Sequence, residues 1–340
     1  MPHIEINGRK VGDGQPCYVI AEIGANHNGD MSLARELIDA AKECGADAVK
    51  FQLFERNTFH PASFLKREKA VAEELAKYKC DQDDHAALKQ YADKVGIDFA
   101  STAFNHEDVD FLTGLGVAFL KIASMDADNQ HFIRYIAEKG FPTIFSTGLA
   151  TWAEIADSVE CFKPGNIGNL CLMHVIALYP PQDSQLNLRK IEMMRTLFGV
   201  PVGYSDHSLG YSIPLASVAL GACAIEKHFT LDKNLPGWDH KVSANPEELR
   251  IICSEAKRIH AALGTGNPDI TADEIKKREQ FRRSVIATAP IAKGETLSRD
   301  KLFFKRPGTG ITPRELDYVA GRVAKRDIAA DEMVSWDDLI

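Results

Sequence analysis

No two cysteines in this chain are spaced as CxxC, and no apolar run approaches the ~18 residues needed to cross a membrane. The seven cysteines are odd in number, and several sit inside apolar runs, where a free thiol behaves as a small hydrophobe. A disulfide framework is therefore not expected, and a reduced cytoplasmic compartment is. The segment MPHIEINGRKVG lacks an apolar signal core, so neither export nor membrane attachment is expected. Basic stripes are missing as well. Forty Lys and Arg stand against 48 Asp and Glu, for a net charge of −8 with both signs interspersed. That balance argues against nucleic acid, and an anionic small molecule would need a local cluster of cations. Two further absences narrow the chemistry. The first apolar run continues as AEIGANHNG, which is neither the GxGxxG of a dinucleotide-binding turn nor the HxH that opens metal-dependent barrel hydrolases.

What is present is ordinary for a globular protein: 340 residues, 45% hydrophobic and 26% charged, enough for one large domain and a small one. From about residue 17 to 263, eight short apolar runs alternate with amphipathic stretches. The runs are CYVIAEIG, ADAVKFQLF, GIDFASTAF, VAFLKIAS, PTIFSTG, LCLMHVI, VPVGYSD and ACAIEKHF. That count and size predict an α/β fold, a (β/α)8 TIM barrel over residues 1–263, with a doubly wound open sheet as the alternative. A polar segment, 264–283, reads as a linker. Residues 284–340, with short β-like runs and Pro and Gly turns, read as a separate small α+β domain.

In a barrel, chemistry sits at the carboxyl ends of the strands. Read there in order, the chain offers Glu22; Lys50 and Gln52; Ser101 and Thr102; Lys121, Ser124 and Asp126; Ser146 and Thr147; His174 and Tyr179; Ser205, Asp206 and His207; and Glu226, Lys227 and His228. His207 and His228 end neighbouring strands, so their imidazoles can converge on one divalent metal and leave positions open for substrate. The competing reading is two hydrogen-bonded core histidines. Lys50 and Lys121 lie within apolar runs, and a buried ammonium needs an anion. That anion is either a structural carboxylate, for which Glu22 is a candidate, or a phosphate and carboxylate of substrate held together with Ser and Thr hydroxyls. Glu22 could equally serve as a further ligand or as a base. Asp239 lies in the loop NLPGWDHKVS, where Trp238 could form a sugar-binding wall or an exposed anchor; Arg306 in KRPGTG reads alone as a surface arginine.

The motifs AEIGANHNG, KFQ, ASTAF, KIAS, STG, SDHSLG, IEKHFT and KRPGTG occur in the order found in N-acetylneuraminate (sialic acid) synthases, which the chain resembles over nearly its whole length. The resemblance implies a C-terminal antifreeze-protein-like (SAF) domain. It implies an enzyme condensing phosphoenolpyruvate with an open-chain N-acylated hexosamine to a nine-carbon 3-deoxy-2-ulosonic acid, with release of phosphate. By the same resemblance, His207 and His228 would hold Mn2+ or Mg2+, and Lys50, Thr102, Lys121, Ser124, Ser146 and Ser205 would surround phosphoenolpyruvate. Tyr179, Asp126 and Asp239 would face the sugar, Glu22 would lie near metal and sugar, and Arg306 would enter a neighbouring barrel in a domain-exchanged homodimer. Three positions depart from the family pattern: KIASMD replaces KIxSGE at Asp126, Ala177 replaces an Asn or Ser, and GWDH replaces GPDH at Trp238. All three touch substrate positions, which leaves the acceptor open. A legionaminic or pseudaminic precursor and a phosphorylated sugar are alternatives, the latter using Arg56, Lys66 or Arg67. A non-catalytic sugar-binding protein is the reading from another class.

Overall fold

The computed structural model describes residues 2–53, 60–163, 165–267 and 269–340. Its contacts divide the chain into two units, Met1–Gly264 and Thr265–Ile340. Among the described residues, no helix is long and apolar enough to cross a membrane, and all seven cysteines are free thiols.

The first unit opens with a hairpin, β1 (His3–Ile6) and β2 (Arg9–Gly12), paired antiparallel. Eight strands follow: β3 (Tyr18–Gly24), β4 (Ala48–Gln52), β5 (Asp98–Thr102), β6 (Leu120–Ile122), β7 (Thr143–Ser146), β8 (Leu170–Val175), β9 (Val202–Asp206) and β10 (Ala224–His228). They close into a parallel barrel in sequence order, with β10 pairing back onto β3. The (β/α)8 expectation therefore holds, and the open sheet is excluded.

The strands alternate because side chains on a pleated strand point to opposite faces with period two. Val19, Ala21, Val49, Phe99, Phe145, Leu172 and Ile225 pack outward against the helices in the main hydrophobic core. Their neighbours Tyr18, Ile20, Ala48, Ala100, Ile144, Met173 and Ala224 fill the barrel from within. Ile4, Ile6 and Val11 of the hairpin join that inner cluster. Apolar filling thus occupies the lower barrel, and the next inward positions are polar on every strand but β8, which presents Val175.

The inner packing is tight at Gly203 on β9. A Cβ there would lie 2.8 Å from the Ala224 carbonyl oxygen and 3.1 Å from both the Ala224 Cβ and the Met173 Cε. Gly203→Ala is expected to lower stability by about 1–3 kcal/mol through overpacking, read as a lower urea midpoint.

Two buried histidines flank Phe51. Its ring lies 6.1 Å from His27 and 6.3 Å from His85. Burial holds both imidazoles down at about 4. A folded-state value below the unfolded ~6.5 means that the unfolded chain takes up protons first as pH falls. Their contribution is complete above pH 6.5 and lost as pH falls toward 4. The expected loss is on the order of 2 kcal/mol per histidine between pH 7 and 4.5, measured by urea unfolding of wild type against His85→Gln.

The second unit pairs β11 (Ser284–Ala287) antiparallel with β12 (Leu302–Lys305). Its core is built from Val285, Leu297, Ile311, Val319, Ile328 and Val334. The segment 264–283, expected as a linker, carries a helix, Ala272–Phe281, that falls within this unit. A capping box explains it: Thr271 accepts from the Glu274 backbone amide while the Glu274 side chain reaches back to Thr271.

Candidate active site at the carboxyl ends of the barrel strands

Above the apolar filling lies a cavity of about 280 Å³. Its walls include Glu22, Lys50, Thr102, Lys121, Ser124, Ser146, Tyr179, Ser205, His207, Glu226 and His228. Strand register makes this convergence: Glu22 pairs with both Lys50 and His228, and Thr102 with Lys121, across neighbouring strands.

The two ammonium groups are buried and bridged by carboxylates. Lys50 Nζ lies 2.7 Å from Glu22 Oε2 and 3.7 Å from Glu226 Oε2, and donates to Thr102 Oγ1 at 3.1 Å. Lys121 Nζ donates to Ser146 Oγ at 2.7 Å and lies 3.4 Å from Glu226 Oε1. Ser205 Oγ donates to Glu226 Oε1 at 3.0 Å, and Gln52 donates to Glu22 Oε1 at 2.9 Å.

This network splits the titrations. Burial pushes Glu22 up to about 7 against the pull of Lys50. Burial acts on Glu226 too, but Lys121, Lys50 and the Ser205 hydroxyl outweigh it and hold that carboxyl well below the usual range. Among the ammonium groups, burial is outweighed at Lys50 by Glu22 and Glu226, which raise it. At Lys121 burial wins and lowers it.

The imidazoles stand at the same end of the barrel. His207 and His228 have ring centroids 5.5 Å apart, and Tyr179 stacks on His207 at 3.9 Å. Burial keeps both neutral, His207 at about 4 and His228 at about 3. His207 Nδ1 lies 2.9 Å from the Ile176 carbonyl oxygen, an acceptor only, so Nδ1 carries the proton and Nε2 keeps its lone pair. His228 Nδ1 is buried without a hydrogen-bond partner, 3.7 Å from Asp239 Oδ2. Neutral rings with free lone pairs are what a divalent cation requires. Among the described residues no group of three or more His, Cys, Asp or Glu is arranged to hold a metal ion.

Other residues singled out from the sequence lie elsewhere. Asp126 does not line the cavity. It sits in a 3₁₀ turn, Ser124–Asp126, with Oδ1 held by Asn129 at 3.1 Å, and its neighbour Met125 faces the cavity instead. Three residues per turn swing consecutive side chains far apart, which separates the two. Trp238 packs against Tyr78 with the rings tilted at 48° and centroids 4.5 Å apart, outside the cavity wall, whereas Ala177 is part of that wall and offers no side-chain donor. His174 faces outward, with Nε2 2.6 Å from the Leu186 carbonyl. Lys227 and Asp206 also face away, as an ion pair of 2.6 Å with neither side chain exposed. Arg306 is an exposed residue of the second unit, its guanidinium 4.7 Å over the Phe281 ring. Lys66 and Arg67 are exposed, and Arg56 lies outside the described residues.

Gln52 and Glu226, named among the strand ends in the sequence but given no role there, also line the cavity. The signal was available for Glu226: on AIEKH, period two puts Glu226 and His228 on one face and Lys227 on the other.

A family profile described as the NeuB family matches residues 37–268, and a SAF domain profile matches 282–340. The chain belongs to the NeuB family. An uncharacterized protein of Methanocaldococcus jannaschii is 40% identical over 340 residues, all of this chain and 99% of its own. An N,N'-diacetyllegionaminic acid synthase of Legionella pneumophila is 38% identical, covering 98% of each chain. The crystal structure of an N-acetylneuraminic acid (sialic acid) synthetase from Leptospira borgpetersenii superposes with a TM-score of 0.75 at 34% identity, over 82% of this chain and 97% of that one. The last two relatives are named as synthases of two different acids, N,N'-diacetyllegionaminic and N-acetylneuraminic acid, and the small C-terminal unit is a SAF domain.

Proposed function

We propose that this NeuB-family chain condenses phosphoenolpyruvate with an open-chain N-acylated hexosamine, giving a nine-carbon 3-deoxy-2-ulosonic acid and phosphate. The observation that carries the reading is the pair of buried lysines facing one cavity with Thr102, Ser146 and Ser205. Two ammonium groups beside three hydroxyls suit a small ligand bearing both a phosphate and a carboxylate. Moving the contacts of Lys50 and Lys121 from Glu22 and Glu226 onto such a ligand exchanges one set of charge-assisted contacts for another.

His207 and His228 are the proposed holders of a divalent cation, Mn2+ or Mg2+, which would polarise the sugar aldehyde when bound. The lysines fix phosphoenolpyruvate so that its C3 faces the aldehyde carbon, which removes orientation entropy from the step. As the C3–C1 bond forms, positive charge develops at C2, where Glu22 and Glu226 lie close enough to stabilise it. Water adds to C2, and the tetrahedral adduct collapses with cleavage of its C–O bond to phosphate. Tyr179 and Asp239, at the two imidazoles, are the proposed sugar contacts. The domain-exchanged homodimer, with Arg306 entering a neighbouring barrel, and a cytoplasmic location belong to the same reading.

Phosphate release from phosphoenolpyruvate and N-acetylmannosamine tests it. Turnover is expected to vanish with a chelator, to return with Mn2+ or Mg2+, and to be lost by at least about a hundredfold in His207→Ala. Undiminished turnover in chelator would refute the metal assignment.

A further inference from the structure

Glu22 is the residue of the motif AEIGANHNG that lines the cavity. The turn after it is tight: the Asn26 amide donates to the Ile23 carbonyl at 2.8 Å and the Asn28 amide to the Ala25 carbonyl at 2.9 Å. Asn28 adopts a φ of 51°, a left-handed conformation that Asn accepts more readily than most residues. From this turn the side chains of Asn26 and Asn28 both reach the segment 229–244, which leaves β10 and returns to it. Ala244 makes the return, its amide donating to the His228 carbonyl at 2.7 Å and its carbonyl accepting from the Thr230 amide at 3.0 Å.

The two contacts fall on either side of Asp239. The Asn26 side-chain amide donates to the Phe229 carbonyl and to Ser243 Oγ, at 2.8 Å each. Ser243 Oγ in turn donates to the Asp239 carbonyl at 2.7 Å, which also accepts the Val242 and Ser243 amides at 3.1 Å each. Asn28 Oδ1 lies 3.3 Å from His240 Nε2, and His240 Nδ1 lies 2.7 Å from Thr230 Oγ1. An amide oxygen only accepts, so Nε2 of this ring carries a proton and donates. Gly237 lets the chain pass over the pair, because a Cβ there would lie 2.6 Å from His240 Cδ2 and 3.1 Å from Asn28 Oδ1. Asn26, His240 and Ser243 are buried, so these bonds are sheltered from water and hold one geometry. The Asp239 carboxylate is different: among the described residues it accepts no hydrogen bond, and it stands 3.7 Å from His228 Nδ1. Its backbone is held while its oxygens are left for a ligand.

We propose that Asn26 and Asn28 are positioning residues for Asp239, Asn26 acting through Ser243 and Asn28 through His240. Together they clamp the segment after β10 to the turn after β3 and set where the Asp239 carboxylate stands beside His228. The clamp acts on the acceptor sugar and not on phosphoenolpyruvate, whose proposed lysine contacts belong to β4 and β6. The proposal rests on the condensing reaction and on Asp239 as a sugar contact, both proposed above, and adds the residues that make that contact rigid.

The test is a double-mutant cycle on phosphate release, with N-acetylmannosamine varied at saturating phosphoenolpyruvate. Ser243→Ala removes the hydroxyl link, and Asn28→Gly removes the acceptor of His240 while tolerating the positive φ. Each is expected to lower kcat/KM for the sugar about tenfold and to leave KM for phosphoenolpyruvate within about twofold. Asn28→Asp keeps both the acceptor and the backbone preference and is expected to stay within about twofold of wild type. In an Asp239→Ala background, adding Ser243→Ala or Asn28→Gly is expected to change sugar kcat/KM by less than about twofold, because the residue they position is gone. Wild-type kinetics in the two single variants would overturn the proposal, and so would a tenfold loss that persists without Asp239. Failure of both single variants to fold, read by circular dichroism, would also overturn it, since the contacts would then hold the barrel and not the segment. Absence of phosphate release by wild type would overturn the condensing reaction itself, and this assignment with it.

Discussion

Lys121→Met is expected to cut kcat/KM for phosphoenolpyruvate by about a thousandfold while leaving the unfolding midpoint within a few degrees of wild type. The two lysines of the cavity titrate in opposite directions, and the contrast separates binding from folding. Lys121 is lowered by burial, so in the ligand-free protein its charge is poorly compensated. An apolar replacement of similar length removes a buried charge that the fold does not favour, and Glu226, 3.4 Å away, keeps Lys50 and the Ser205 hydroxyl as partners. Truncating one partner of a desolvated charge pair costs about 2–5 kcal/mol of binding, which sets the size of the kinetic loss. Lys50 differs, because Glu22 and Glu226 raise it despite burial. Lys50→Met is expected to lose activity to the same degree and also about 3–5 kcal/mol of stability, since it leaves Glu22 buried without its partner at 2.7 Å. Thermal and urea unfolding beside steady-state kinetics read these quantities. Equal stability loss in the two variants would contradict the charge distribution described here.

Lys227→Met is expected to lower stability by about 3–5 kcal/mol with little change in the KM of the molecules that remain folded. Lys227 and Asp206 form a fully buried pair on the outer face of β10 and β9, 2.6 Å apart. Asp206 also accepts from Tyr204 and from the Ser208 backbone amide at 3.1 Å each, and Lys227 reaches the Ser208 carbonyl. Removing the cation leaves a buried carboxylate with neutral donors alone. Adding Asp206→Leu should recover part of the loss, because the orphaned charge is then gone. A Lys227→Met protein as stable as wild type would show that water reaches this pair.

The barrel was legible because eight short apolar runs alternate with amphipathic stretches and almost every one carries a polar residue near its end. The site was legible for residues whose burial contradicts their charge: Lys50 and Lys121 sit inside apolar runs, and a buried cation must have a reason to be there. Glu226 was harder to see because Lys227 and His228 beside it are equally polar, and only strand alternation separates the inward pair from the outward lysine. Asp126 shows the opposite limit. The family resemblance set it against the sugar, but a single 3₁₀ turn brings Met125 to the cavity instead, and one-residue geometry of that kind leaves no pattern in composition. The opening hairpin did carry a signal. Asn7 and Gly8 join HIEI and RKVG, and both adopt positive φ, 47° and 77°, the conformation that an Asn-Gly turn favours. Its role as a plug for the barrel depends on Ile4, Ile6 and Val11 meeting Tyr18 and Ile20, contacts between segments that no local pattern joins.

The mass of the product tests the central claim most directly. Purified protein, phosphoenolpyruvate, a divalent cation and an N-acylmannosamine should yield one equivalent of phosphate for each new acid, whose mass equals the sugar plus the elements of pyruvate. Phosphate release without that acid, or neither phosphate nor acid with any N-acylhexosamine tried, would contradict the account.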